Sequence, residues 1–239
     1  VIPASPLQLL FFLLLALGST ASAQPAPAVS ALKEISPGVL EYNGVRLDQA
    51  HHRISFPATV NQREGLIEYL LVNEKGKVHE SLFATKLMPR DIHIALLLIG
   101  LTDPGAANAK ESVPPSAIDS SYLQAAPKLQ GPSVLLSVTW TQDGKPRQIP
   151  AENWVFNLQT HHLMTTGPWT YNGSMIQNGV FLADQELSIV AVITDPTALV
   201  NNPRPGYDND EIWQLQEDAI PPLDTPVELT ITLAASNPP

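Results

Sequence analysis

Apolar and polar residues alternate with a period of two through most segments that carry β-branched or aromatic side chains, which is the pattern of a strand with one face in water. Residues 45–48 (VRLD) and 53–56 (RISF) alternate in this way, with 49–52 as the turn between them. Residues 66–72 (LIEYLLV) are more continuously apolar, and 74–77 (EKGK) lead into 78–83 (VHESLF), which predicts a hairpin. Residues 133–141 (SVLLSVTWT) form a strand that turns at Asp143-Gly144 into a short returning strand at 147–149. Further strands are expected at 154–158, 169–171, 187–193 and 227–233. One segment breaks the pattern. Residues 89–100 open with Pro89, place Asp91 in the first turn and end on Gly100, the signature of a helix. Ile92 and the run 94–99 are apolar all round, so this helix is expected to be buried. The Pro-, Ala- and Ser-containing stretch 102–131 reads as a long loop. The fold class is therefore α+β: a predominantly antiparallel β-sheet or sandwich with one buried helix at about residues 89–100.

The N-terminal segment reads differently. Residues 7–17 (LQLLFFLLLAL) are apolar and run into Gly18-Ser19-Thr20 and Ala21-Ser22-Ala23, the form of a cleavable export signal spanning residues 1–23. The tract is shorter than the roughly 20 apolar residues that a membrane-spanning helix requires, so no transmembrane helix is expected in the mature chain. The Ala-, Pro- and Ser-rich residues 24–37 are expected to be an extended linker, and residues 38–236 a single globular domain. This places the protein outside the cytoplasm, in a periplasm or an extracellular space.

Composition removes several chemistries. The 239 residues hold 13 Lys+Arg against 23 Asp+Glu, a formal net charge of −10, so the clustered cations that neutralise nucleic-acid phosphates are missing. There is no Cys, which excludes disulfides, thiolate metal sites, iron–sulfur clusters and a Cys nucleophile.

Histidines and acids are what remain. His79 and Glu80 on an expected strand, with His93 near a helix start, offer imidazole and carboxylate ligands for zinc, copper or iron. Neighbours on a strand point to opposite faces, so a metal set would combine His79 and His93 with a carboxylate from elsewhere, such as Glu64 or Glu68. Against this stands the reading that both histidines are hydrogen-bonded structural residues. The tandem pairs His51-His52 and His161-His162 lack the i, i+4 spacing of a helical metal motif and read as loop histidines. Ser174 lies in Asn172-Gly173-Ser174, a glycosylation acceptor pattern rather than a nucleophile elbow. The acidic stretch 203–218 does not have the Gly and distal Glu at the spacing of a 12-residue calcium loop and reads as a solvated loop. Trp169, Tyr171 and Trp213 are candidates for an aromatic ligand platform, or else they close the core, the account preferred here.

Several segments together resemble the YdjY family: 56–61 (FPATVN), 64–72 (EGLIEYLLV), 76–82 (GKVHESL), the helix at 91–100, 169–174 (WTYNGS) and 208–213 (DNDEIW). The resemblance covers most of the chain after the signal. It implies an exported bacterial domain of unassigned activity. Some such domains are described as ferredoxin-like, a label that does not apply here, because no Cys is present to hold a cluster. The leading expectation is an exported, non-catalytic module of the cell envelope that binds a ligand or another envelope protein. The alternative is a metal-binding protein or metal-dependent enzyme using His79, His93 and a nearby carboxylate. No cofactor is indicated.

Overall fold

The computed structural model describes residues 32–104 and 129–235. The export signal, most of the expected linker and most of the expected 102–131 loop lie outside the described residues. The first half contains β1 (Lys33–Ser36), β2 (Val39–Tyr42), β3 (Val45–Asp48), β4 (Arg53–Val60), β5 (Tyr69–Asn73), β6 (Ser81–Thr85) and helix α1 (Pro89–Leu98). The second half holds β7 (Ser133–Gln142), β8 (Lys145–Pro150), β9 (Val155–Asn157), β10 (His162–Leu163), β11 (Trp169–Tyr171), β12 (Ile176–Gln177) and β13 (Val180–Phe181). It ends with helix α2 (Leu182–Glu186), β14 (Ser188–Ala191), β15 (Val200–Asn201), β16 (Trp213–Leu215) and β17 (Pro226–Leu233).

Most of the strands that suggested a sandwich join instead into one barrel-like sheet, while β10-β9-β16 and β12-β13 form two small separate sheets. The order in the barrel-like sheet runs β4-β17-β7-β11-β15-β14-β5-β6, and β6 returns to β4 through Thr59↔Ala84 and Val60↔Phe83. Closure depends on strand length. The eight-residue β4 pairs with β3 along its first half and with β6 along its second, on one edge, while β17 occupies the other edge. The ten-residue β7 divides one edge in the same way between β11 and β8. The β3-β2-β1 flap and β8 are thus continuations of the sheet that leave the ring. β1 lies within the stretch expected to be a linker, yet it pairs with β2.

Alternation sets the ring interior. Ile54, Phe56, Ala58 and Val60 of β4, Val134, Leu136 and Val138 of β7, and Val227, Leu229 and Ile231 of β17 are all buried in one core. Each of these Val, Leu, Ile and Phe side chains contributes about 1.5–3 kcal/mol. β5 is buried on both faces, because Tyr69 and Val72 pack outside the ring with Ala191, Ala198 and Val78. That double burial accounts for its continuous apolar run.

Two expectations about direction and burial are corrected. β5 and β6 are parallel, Tyr69 opposite Ser81, rather than a hairpin. Val78–Glu80 is a 3-10 turn that reverses the chain before β6 begins, so His79 and Glu80 are not strand residues. Helix α1 is buried along one face, through Pro89, Ile92, Ala95 and Leu96, while Leu98 remains 39% exposed. It packs on β3, β4 and α2 instead of being enclosed. It stops at Gly100 (φ +101): the Gly100 N–H donates to Leu97 O and the Leu101 N–H to Leu96 O, the paired bonds of a Schellman closure. Among the described residues no helix is long and apolar enough to cross a membrane.

Candidate functional site

His93 is the functional candidate that the fold turns toward a cavity. It sits in the first turns of α1, and Ile92 and Leu96 of that helix anchor it to the core. Tyr171, at the end of β11, reaches it from the ring: the Tyr171 hydroxyl and His93 Nδ1 are 2.8 Å apart. β11 can come this close because Gly131 packs directly against it. A Cβ at position 131 would fall 1.8 Å from the Tyr171 carbonyl oxygen. The Phe181 ring lies 5.1 Å from the imidazole on the other side, inclined by 47°.

These groups border a pocket of about 360 Å³ whose walls include His93, Ile94, Met175, Ile176 and Phe181, with Arg90, Asp103, Ser174 and Asp184 among its polar groups. That volume lies within the usual range for small-molecule sites. Arg90 is tied to Asp184 of α2 by an ion pair and by an Arg90 N–H bond to Asp184 Oδ1 of 2.8 Å, so these charges offset one another. Ser174 is committed to structure. In a left-handed conformation (φ +63), its hydroxyl donates to Thr197 O and accepts from the Ala183 N–H. Gly173 (φ +73) lies against Asp103; a Cβ there would come within 2.8 Å of Asp103 Oδ1.

Burial holds the His93 imidazole below the usual histidine range, against an upward pull from Asp103 and Asp184. Desolvation on burial is the leading cause of that shift. Burial, reinforced by Asp103, also pushes the Tyr171 phenol up, so that phenol keeps its proton. The phenol and the imidazole share this hydrogen bond, and the ring tautomer sets which of the two donates. His93 Nε2 then faces Asp103 Oδ2 at 4.0 Å, beyond hydrogen-bond reach.

The other residues singled out from sequence are placed elsewhere. His79 is 77% exposed at its side chain and lies beside Glu80. Glu64 is exposed in the segment before β5, where its carbonyl accepts from Gln62 Nε2. The structure does not bring His79, His93 and Glu64 into one ligand set: among the described residues no group of three or more His, Asp or Glu could hold a metal ion. Trp169, Tyr171 and Trp213 are buried in the core and present no exposed platform, and only Tyr171 extends its hydroxyl to a pocket residue. Asn172 is buried, donating to Ala198 O and accepting from Asn201 Nδ2, so its side chain is inaccessible for glycosylation in the folded domain. Of the tandem pairs, His51 bonds Asp48 and His52 bonds the carbonyl of Ile99 beyond α1.

Two polar constellations had no sequence signal, because their members are far apart in the chain. Glu152 and Arg204 form a buried ion pair of 2.8 Å, with the guanidinium stacked on Trp169. Lys77 donates to the Tyr69 hydroxyl, which donates to Asp195, whose other oxygen accepts from Thr197. Both secure loops to the ring.

The arrangement defines a barrel-like β domain with a small pocket between helix α1 and the loop after β11. The family model of the YdjY domain matches residues 45–232, and the chain belongs to that family. No match was found among curated proteins or among solved structures.

Proposed function

We propose that this YdjY domain is an exported, non-catalytic module that binds a small ligand in the pocket beside His93. The observation that carries the reading is the pocket itself: apolar walls from Ile94, Met175, Ile176 and Phe181 meet a few fixed polar groups, the composition of a site that holds a small organic molecule. The polar groups are already oriented, His93 by Tyr171 and Arg90 by Asp184, which lowers the ordering cost of binding. Export is supported by the apolar tract at residues 7–17 and the small residues at 21–23.

The test is protein-observed NMR with a library of small neutral fragments. Hits should shift the methyl signals of Ile94, Met175 and Ile176 together with the His93 ring. Fragments that shift only other regions would reject this pocket. Robust turnover in a broad hydrolase and redox screen would reject the non-catalytic role. Mass spectrometry of the secreted protein should find the chain beginning after Ala23.

A further inference from the structure

We propose that the outer face of the sheet carries a second ligand site, a polar trough that takes a neutral saccharide. Across the antiparallel neighbours β3, β4, β17, β7 and β8, one row of facing residues runs Arg46, Ser55, Thr230, Ser137, Pro150. Facing residues share one side of a sheet, and this row alternates with the core positions Ile54, Phe56, Leu229 and Ile231, so it looks outward. The short side chains of Ser55 and Thr230 leave a depression there. Longer residues such as Arg46, Arg53 and Glu228 border it, and Ile35 and Val39 of the β1-β2 flap line it as well. The volume is about 510 Å³, within the range of small-molecule sites. No residue lining it belongs to the pocket beside His93.

Thr230 is the decisive residue. Its side chain points away from the core, yet it is only 9% exposed, and its hydroxyl has no hydrogen-bond partner among the described residues. The hydroxyls of Ser55 and Thr139, on the strands to either side, are likewise without a partner among the described residues. A covered hydroxyl is normally satisfied, and for Thr230 the open side is the trough.

Charge selects a neutral occupant. Asp48 holds Arg53 through Nε at 3.0 Å and Nη2 at 2.8 Å, and Arg46 faces Glu228 at 3.7 Å. Two cations and two carboxylates therefore offset one another, and an ionic ligand would find its counterion already engaged. Hydrogen bonding then selects a saccharide. The 3.7 Å separation leaves Arg46 with N–H donors and Glu228 with acceptor oxygens. Gln148 Nε2 donates to Ser137 Oγ at 3.2 Å, which leaves the Gln148 carbonyl as an acceptor. Donors, acceptors and hydroxyls that serve as both match a ring of hydroxyl groups, while Ile35 and Val39 offer an apolar wall to its C–H face. An extended peptide would need main-chain partners, and β4, β17 and β7 are paired on both edges here.

The test is an array of neutral, acidic and amino oligosaccharides probed with the full chain. Neutral glycans should be retained, and a neutral hit should shift the Thr230, Val39 and Ile35 methyl signals in an NMR titration. Thr230→Val keeps a β-branched strand residue and removes the hydroxyl; affinity should fall about three- to tenfold. Thr139→Val, at a half-buried position, should weaken binding in the same range and keeps the test sound if Thr230→Val misfolds. Retention of no glycan, or of acidic or amino glycans alone, overturns the proposal. So do shifts at Ile94, Met175 and Ile176 in place of the trough, which would put the sugar in the His93 pocket. Unchanged affinity in the folded Thr-to-Val variants overturns it too.

Discussion

Removing either member of the buried Glu152–Arg204 pair should destabilise the domain by about 3–5 kcal/mol, while removing both should cost far less than the sum. The side chains are 1% and 11% exposed, so neither charge can turn to water for compensation. Glu152 Oε1 accepts from Arg204 at 2.8 Å, from Trp169 Nε1 at 2.8 Å and from the Gly167 N–H at 3.3 Å, while Oε2 is buried and has no hydrogen-bond partner among the described residues. Arg204 also donates to the carbonyls of Thr165 and Gly167 and to Asn202 Oδ1. Burial holds the guanidinium below its usual range and Glu152 opposes that shift, so the carboxylate keeps the cation tolerable. Glu152→Gln preserves shape and the Trp169 bond but removes the countercharge; Arg204→Met leaves the carboxylate with two N–H donors. Urea unfolding of wild type, both single variants and the double variant gives the coupling from midpoint changes at constant slope. A coupling of at least about 2 kcal/mol is expected. For a domain of this size, a loss of about 3 kcal/mol corresponds to a midpoint drop of roughly 6–12 °C. Single-variant costs below about 1 kcal/mol, or additivity within about 0.5 kcal/mol, would refute the argument.

Three further outcomes follow from the same geometry. Because burial lowers the His93 pKa in the folded state, the unfolded chain takes up that proton first. Its contribution is whole above about pH 6.5 and is lost as pH falls from there toward the folded value; a ring titration placing His93 above 6.5, or an unchanged pH slope in His93→Gln, would contradict this. Tyr69→Phe strips the hydroxyl that links Lys77 at 2.6 Å to Asp195 at 2.9 Å, and should cost about 1–3 kcal/mol in urea unfolding. Gly131→Ala drives a methyl into the Tyr171 carbonyl, so β11 must move; a loss of about 1–3 kcal/mol should accompany a change in the His93 ring signals, and a neutral effect on both would show that the contact is slack.

The alternating strands were legible in sequence because each has one face in water: β3 and β11 begin and end where the pattern does, and α1 starts at its Pro89. What defeated the pattern was chain reversal without a turn signature. Residues 78–83 hold the residues of a strand, but Val78–Glu80 coil first, which makes β6 parallel to β5. Closure was equally hidden, because nothing local indicates that β4 divides one edge between β3 and β6. The short β15 and β16 lie in segments without periodicity and take their pairing from neighbours already in place. His93 could be singled out as an imidazole near a helix start, but Tyr171 as its partner could not, since 78 residues separate them.

That separation links the site to the stability of the ring. His93 belongs to a helix packed on β3 and β4, Tyr171 to a strand bonded to β7 and β15, and Phe181 to the strand before α2. The pocket's walls come from a helix, a ring strand and the separate β12-β13 pair, so opening the ring at β4 and β6 separates groups that no local segment holds together. A ligand that fills the pocket therefore binds the closed ring and not the open one, and linkage requires it to stabilise the whole domain by RT ln(1 + [L]/Kd). The amides of β6 at the β4 seam should accordingly slow in hydrogen exchange by the same factor as those near His93. Slowing confined to α1 and the loop after β11 would instead mean that the pocket opens locally, with the ring still closed.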